Sequence, residues 1–229
     1  MRINKYIAES GFCSRRQADA LIEKGRVTIN DVVCDLGTRI NDGDIICVDN
    51  IPIEAKEKHA YIALNKPVGI ECTTNIKVKD NIINFVNHPK RIFPIGRLDK
   101  DSEGLILLTN DGDIVNKILR AENHHEKEYI VAVNKDITPD FLENMANGVK
   151  ILGVMTKKCD VYPINNKTFG IILTQGLNRQ IRRMCEALGY RVIDLKRIRI
   201  MNITLGYLKS GHWRNVTKNE LNELKGFLQ

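Results

Sequence analysis

The 229-residue sequence contains no apolar run near the roughly 18–20 residues that cross a bilayer, which excludes a helical membrane span. Its opening stretch, MRINKYIAESGF, has no continuous hydrophobic segment and no small-residue cleavage site, so no export signal is expected. The six cysteines (Cys13, Cys34, Cys47, Cys72, Cys159 and Cys185) form no C-x-x-C pair, and no histidine stands at ligand spacing from them. Neither a metal site nor a disulfide framework is expected, and reduced thiols point to a cytoplasmic protein. Phosphate-cradling loops of the G-x-x-x-x-G-K-[ST] or G-x-G-x-x-G kind are absent, as is the glycine pattern of a methyl-donor site. Any catalysis is therefore expected to need no cofactor. Aromatic residues are sparse at 6%, but an apolar fraction of 43% suffices for a packed core. Internal repeats and low-complexity tracts are lacking too.

What is present is an uneven charge. The net charge is +7, yet residues 1–60 carry 9 Lys/Arg against 10 Asp/Glu, and the remainder 26 against 18. Between 176 and 214 there are nine basic residues, Arg179, Arg182, Arg183, Arg197 and Arg199 among them, and only Glu186 and Asp194 as acids. So concentrated a charge suits a polyanionic partner; solvated faces usually mix both signs.

Two modules are expected, at 1–49 and 60–229, joined by a polar linker at 50–59. In the first, Ile3, Tyr6 and Ile7 predict a short helix ending at Gly11. Ser14 and Gln17 then form a capping box for a helix with Ala18, Leu21 and Ile22 on its apolar face, stopped by Gly25. RVTIN and DIICVDN alternate as strands do. Arg15 and Arg16 occupy the first turn of that helix, where the macrodipole disfavours cations, a placement that suits external phosphates. In the second module YIALNKP, GLILLTN and EYIVAV predict strands, and DIVNKILRA, the segment after Thr138-Pro139, and GLNRQIRRMCEALGY predict helices, the last capped by Asn178. LKRIRIMNI predicts a strand with Arg197 and Arg199 on one face, and Thr217 with Glu220 caps a final helix. Strands and helices do not alternate strictly, so the class is α+β around a mixed, largely antiparallel sheet flanked by helices.

The segment PIGRLDKDSEGLILLTNDG, residues 94–112, bears Asp99 behind Arg97 and Leu98. By spacing alone Asp99 is either a reactive carboxylate, which needs a cation to stay ionised in a dry pocket, or an acid in a polar turn. The predicted helix at 177–188 offers that cation, because Arg179, Arg182 and Arg183 share one side of it while Ile181 faces the core. Asp99 and Glu103 also form a carboxylate pair of the glycosidase kind, a pattern that arises often by chance. His124 and His125 fall in a charged stretch expected as a solvated loop. Tyr129 is either a half-buried strand aromatic or a ring for stacking on a base.

SRRQADALIEKGRVTIN resembles the S4 RNA-binding module, an αL-type domain, with Arg15, Arg16, Lys24 and Arg26 as its RNA contacts. GRLDKDSEGLILLTNDGD and GLNRQIRRM resemble two motifs of the RsuA family of pseudouridine synthases, and the match runs nearly end to end. GLNRQIRRM with RIRIMNITLG and GHWRNVT looks most like the RluF branch, which acts on large-subunit (23S) ribosomal RNA. Asp31 stands where many S4 modules have a turn glycine.

The resemblance implies isomerisation of uridine to pseudouridine within RNA, on a pseudouridine synthase fold. Asp99 would be the catalytic aspartate and Arg182 the arginine paired with it. Tyr129 would pack on the base, Arg97 would help hold the everted uridine, and Leu98 and Ile181 would keep the pocket dry. Arg179, Arg183, Arg197 and Arg199 are the expected phosphate contacts of this module. The partner is RNA or an assembling ribosomal subunit, and nothing demands more than a monomer. Rival readings are a synthase for 16S or transfer RNA, a non-enzymatic S4-type ribosome-binding factor, and an RNA glycosidase that releases its base.

Overall fold

The structure, a computed structural model, describes residues 1–53, 58–119 and 125–228. Part of the expected linker, His124 and the end of the DIVNKILRA segment lie outside the described residues. The chain divides into two compact units, residues 1–60 with 89–91 and 110–112, and residues 61–88, 92–109 and 113–229.

The first unit opens with α1 (Ile3–Glu9) and α2 (Arg15–Glu23). The α2 start is set by its capping box, in which Gln17 N–H donates to the Ser14 hydroxyl and Ser14 N–H to Gln17 Oε1. Strands β1 (Val27–Ile29), β2 (Val32–Val33), β3 (Ile46–Val48) and β4 (Ile51–Pro52) form an antiparallel sheet ordered β2-β1-β3-β4. Ile51 and Pro52 fall in the stretch expected as a linker, yet they pair with Val48 and Cys47. The two-residue β1–β2 turn puts both Asn30 and Asp31 at positive φ, 50° and 66°. Asp31 can replace the usual glycine because asparagine and aspartate tolerate the left-handed region better than other side chains. Ile3, Ile7, Ala18, Ile22, Val27 and Val48 form the core of this unit.

The second unit is built on a sheet of nine strands among the described residues. Its path contains β5 (Tyr61–Lys66), β7 (Glu103–Thr109), β8 (Lys127–Val133), β11 (Asp160–Asn165), β12 (Thr168–Leu173), β13 (Val192–Ile200) and β15 (Trp213–Asn215) in the order β11-β12-β8-β13-β7-β5-β15. β6 (Phe93–Pro94) pairs with β7 and β14 (Ile203–Thr204) with β13. Every pairing is antiparallel except β13 with β7, so the sheet is mixed and largely antiparallel. The run Leu105 to Leu108 is wholly buried because β7 is central and covered on both faces. Leu105 and Leu107 pack with Ile114 and Ile118 of α4 (Gly112–Leu119) and with Leu224 of α7 (Lys218–Gly226). The capping box of Thr217 and Glu220 opens α7.

Several elements went unread in the sequence: α3 (Ile82–Val86), the small hairpin of β9 (Lys150–Ile151) and β10 (Val154–Met155), and the β11–β12 hairpin. β11 is an edge strand with Pro163 inside it, and its side chains are largely exposed, so it lacks alternation. α5 (Pro139–Asn147) begins behind Thr138 as expected. α6 (Gln180–Ala187) differs from expectation at its start. Its N-cap is Arg179, held at φ 50°, and not Asn178. The alternation of β13 also fails, because a register shift between Arg197 and Arg199 interrupts its pairing with β8.

Candidate active site

The second unit holds a cavity of about 520 Å³, and the residues around it come from opposite ends of its sequence. The Arg97–Ser102 segment enters just before β7, Lys127 and Tyr129 rise from β8, Arg179 to Arg182 open α6, and Arg197 lies on β13. A tight turn, in which Ser102 N–H donates to the Asp99 carbonyl (3.1 Å), presents Asp99. Its carboxylate is partly exposed, while Leu98 beneath it is buried and donates its N–H to the Cys72 sulfur. Burial pushes the Cys72 thiol up, so it stays protonated.

The guanidinium nearest Asp99 is that of Arg179, with Nη1 4.0 Å from Asp99 Oδ2. Arg179 also grips Asp101 with two bonds of 3.1 and 2.8 Å, and this bidentate contact holds the Asp101 carboxyl below its usual range. Arg182 was expected against Asp99. Instead its Nη2 donates to the Asp101 carbonyl (2.9 Å) and the Ser102 hydroxyl (3.0 Å). The cause lies in the first turn of α6. The left-handed Arg179 backbone throws its side chain forward onto Asp99 and Asp101, leaving Arg182, one turn on, above the turn's main chain. The three arginines do lie on the side of α6 away from its buried residues, but Arg183 folds back to the Asn178 carbonyl and side chain.

Arg197 and Arg199 are not surface phosphate contacts. Arg197 is 3% exposed and donates through Nε to the Leu105 carbonyl (2.7 Å) and through Nη1 to the Arg97 carbonyl (3.4 Å), so one guanidinium ties both ends of the Asp99 segment. It also sits 5.9 Å from the centre of the Tyr129 ring. Arg199 is committed to Glu128 (2.7 Å), Glu126 (2.9 Å) and the Met201 carbonyl (2.9 Å). Strand alternation alone could not foresee this, because central strands are covered on both faces.

Ile181 and Leu98 line the cavity as buried apolar groups, and Arg97 extends exposed at its rim. Sequence reading missed Lys66 and Lys127. Lys66 is fully buried, its ammonium held by the carbonyls of Pro67 (2.8 Å) and Ile70 (2.9 Å) and its pKa lowered by burial. Lys127 had a readable signal, because it stands two residues before Tyr129 and so shares its face. Among the described residues no cluster of three His, Cys, Asp or Glu could hold a metal, and no helix is long and apolar enough to cross a membrane.

The family model for RNA pseudouridylate synthase matches residues 60–187, and that of the S4 domain matches residues 1–46. The chain belongs to the RNA pseudouridylate synthase family. Over 226 residues this synthase is 56% identical to the dual-specificity RNA pseudouridine synthase RluF of Escherichia coli (strain K12), covering 98% of this chain and 78% of that protein. It is 37% identical to the ribosomal large subunit pseudouridine synthase B of Bacillus subtilis (strain 168), over 98% of this chain and 95% of that one. A solved pseudouridylate synthase at 30% identity superposes with a TM-score of 0.72, covering 98% of this chain and 99% of its own.

In the S4 unit of the synthase, Arg15, Arg16 and Lys24 are exposed. Arg15 makes one 3.4 Å bond to Asn4. Arg26 is different: its guanidinium is clamped by the Asp49 carboxylate, so its charge is already compensated.

Proposed function

We propose that this synthase converts a uridine of large-subunit ribosomal RNA to pseudouridine, with Asp99 as the catalytic carboxylate. The observation that carries the reading is Asp99 beside the Arg179 guanidinium at a cavity that Tyr129 also lines, in a chain closely similar to a named synthase. Support for the ribosomal target comes from the Bacillus subtilis relative, named for the ribosomal large subunit. The Escherichia coli relative is named for dual specificity, which favours a second RNA target.

The chemistry follows from the groups available. A stacked uridine is out of reach, so it must be everted at a cost of a few kcal/mol, which phosphate contacts and counterion release offset. The Asp99 carboxylate then bonds to the sugar, adds to the base or removes a sugar proton, and in each route the bond between N1 and C1′ breaks. Tyr129 retains the freed uracil by stacking until C5 joins C1′. Leu98 and Ile181 exclude the water that would otherwise capture the sugar.

Asp99→Asn keeps the shape of the turn and removes the charge. The variant should form no pseudouridine in 23S RNA by carbodiimide mapping, while binding that RNA within about threefold of the parent. Full turnover by the variant would sink the assignment, and free uracil in the supernatant would replace the synthase with a glycosidase.

A further inference from the structure

We propose that Lys127 and Arg197 form a cationic floor that receives the uracil ring as an anion while it is detached from its sugar. This rests on the reading that the cavity isomerises a uridine.

Lys127 and Tyr129 are two residues apart on β8 and share a face. Across the ladder, Arg197 stands opposite Tyr129 and Ile200 opposite Lys127, and all four line the cavity. Both cations are held only by neutral main-chain oxygens. Lys127 Nζ donates to the His125 carbonyl (3.2 Å) and Arg197 to those of Leu105 and Arg97. Arg197 Nη2 is buried with no partner at all. Among the described residues neither group meets a carboxylate at ion-pair distance, so two positive charges stand uncompensated side by side. Burial, with Arg197 adding to it, lowers the Lys127 pKa, a sign of how unfavourable this arrangement is without a ligand. Buried cations normally pair, and an orphaned donor in a cavity calls for an acceptor that arrives there.

The surroundings select which acceptor. Leu173, Ile181, Leu195 and Ile200 make the wall apolar beside the Tyr129 ring. Such a wall fits a flat base and disfavours a phosphate, which stays hydrated at a rim. When the bond between N1 and C1′ breaks, its electron pair moves onto the base, and the negative charge spreads over N1 and the carbonyl oxygens. That pair forms the new bond from C5 to C1′, and the proton shed at C5 is matched by one gained at N1. A preorganised cation aimed at charge that exists only during the reaction accelerates the step without tightening binding of the substrate.

The test uses the full chain with transcribed 23S RNA. Lys127→Gln should lower the single-turnover rate at saturating RNA by about 100-fold or more, the loss typical of one such donor. Affinity should stay within about threefold, and Lys127→Arg should recover at least about tenfold of the rate, a split that a purely structural lysine would not show. A rate within about threefold of the parent overturns the proposal. So does an equal loss of rate and affinity with a shallower salt slope, which would make Lys127 a phosphate contact. Should Lys127→Gln fail to fold, the parent is assayed with free pyrimidines. Barbiturate, anionic at neutral pH, should inhibit at lower concentration than neutral uracil, and equal or absent inhibition by the two overturns it. Failure of the underlying reading looks different: Asp99→Asn would retain turnover, or the parent would form no pseudouridine.

Discussion

The backbone of Gly104 runs so close to that of Arg197 that a methyl group on Gly104 would lie 2.2 Å from the Arg197 carbonyl oxygen. This contact is the parallel junction of β7 and β13, where Arg197 registers against Gly104 and Lys196 against Glu103. The ion pair of Lys196 with Glu103, at 2.9 Å, straddles the same step. Gly104 also sits at φ +108°, which other residues rarely adopt. Gly104→Ala should therefore cost roughly 2–5 kcal/mol from overpacking and backbone strain together. Urea unfolding measures the loss, and because the junction aims Arg197 at the Asp99 segment, activity should fall even below the melting temperature.

Arg182 holds the turn behind Asp99 through a main-chain carbonyl and the Ser102 hydroxyl. Its loss should let the carboxylate drift. Arg182→Ala should slow the single-turnover rate by about 100-fold with little change in RNA affinity, since an ångström of misplacement costs about that much. Arg182→Lys should restore little of it, because one ammonium cannot both keep the two contacts made by Nη2 and stand beside the Asp101 carboxylate as Nε does, at 3.5 Å. Parallel losses in rate and affinity would mark a phosphate contact instead.

Arg15 and Arg16 are exposed at the start of α2, and no carboxylate compensates either at ion-pair distance among the described residues. Replacing both with alanine should flatten the plot of log affinity against log salt by about 1–2, one phosphate contact each. The rate at saturating RNA should be unchanged. An unaltered slope would remove the α2 start from the RNA contacts.

Glu220 caps α7 and accepts two 2.7 Å bonds from Arg214, which bring its carboxyl from an ordinary 4.5 down to about 2. A carboxyl depressed in the folded state stabilises above its unfolded pKa and loses that contribution as pH falls through the folded value. The parent should thus lose stability between about pH 4.5 and pH 2 at this site. Glu220→Gln should be less stable at neutral pH, on the order of 1–3 kcal/mol, with the difference closing in that window. Thermal melts of both proteins across the range give the comparison.

Much of the fold was legible because local rules act alone in the relevant places. The capping boxes of Ser14 with Gln17 and Thr217 with Glu220 fix helix starts without tertiary help. The apolar Leu105–Leu108 run could only be a covered strand. The β11–β12 hairpin escaped because an edge strand with a proline has no alternation to read. In the site, Asp99, Leu98, Tyr129 and Ile181 were recognisable from their motifs and do line one cavity. The choice of arginine was not. A single residue in the left-handed region, Arg179, decides which guanidinium faces Asp99, and periodicity assumes that no such residue interrupts it.

By itself the sequence determined the two-module order, the capped starts of α2, α5 and α7, the family and the acid proposed as catalytic, because these depend on residue type and near neighbours. Only the tertiary structure decided that Arg197 is buried and Arg199 taken up by Glu126 and Glu128, that Arg182 holds main chain, and that Lys127 stands uncompensated beside Tyr129. Those facts depend on which strands adjoin and what covers each face. Pairings between residues about 70 to 100 positions apart set both, and no local pattern encodes them.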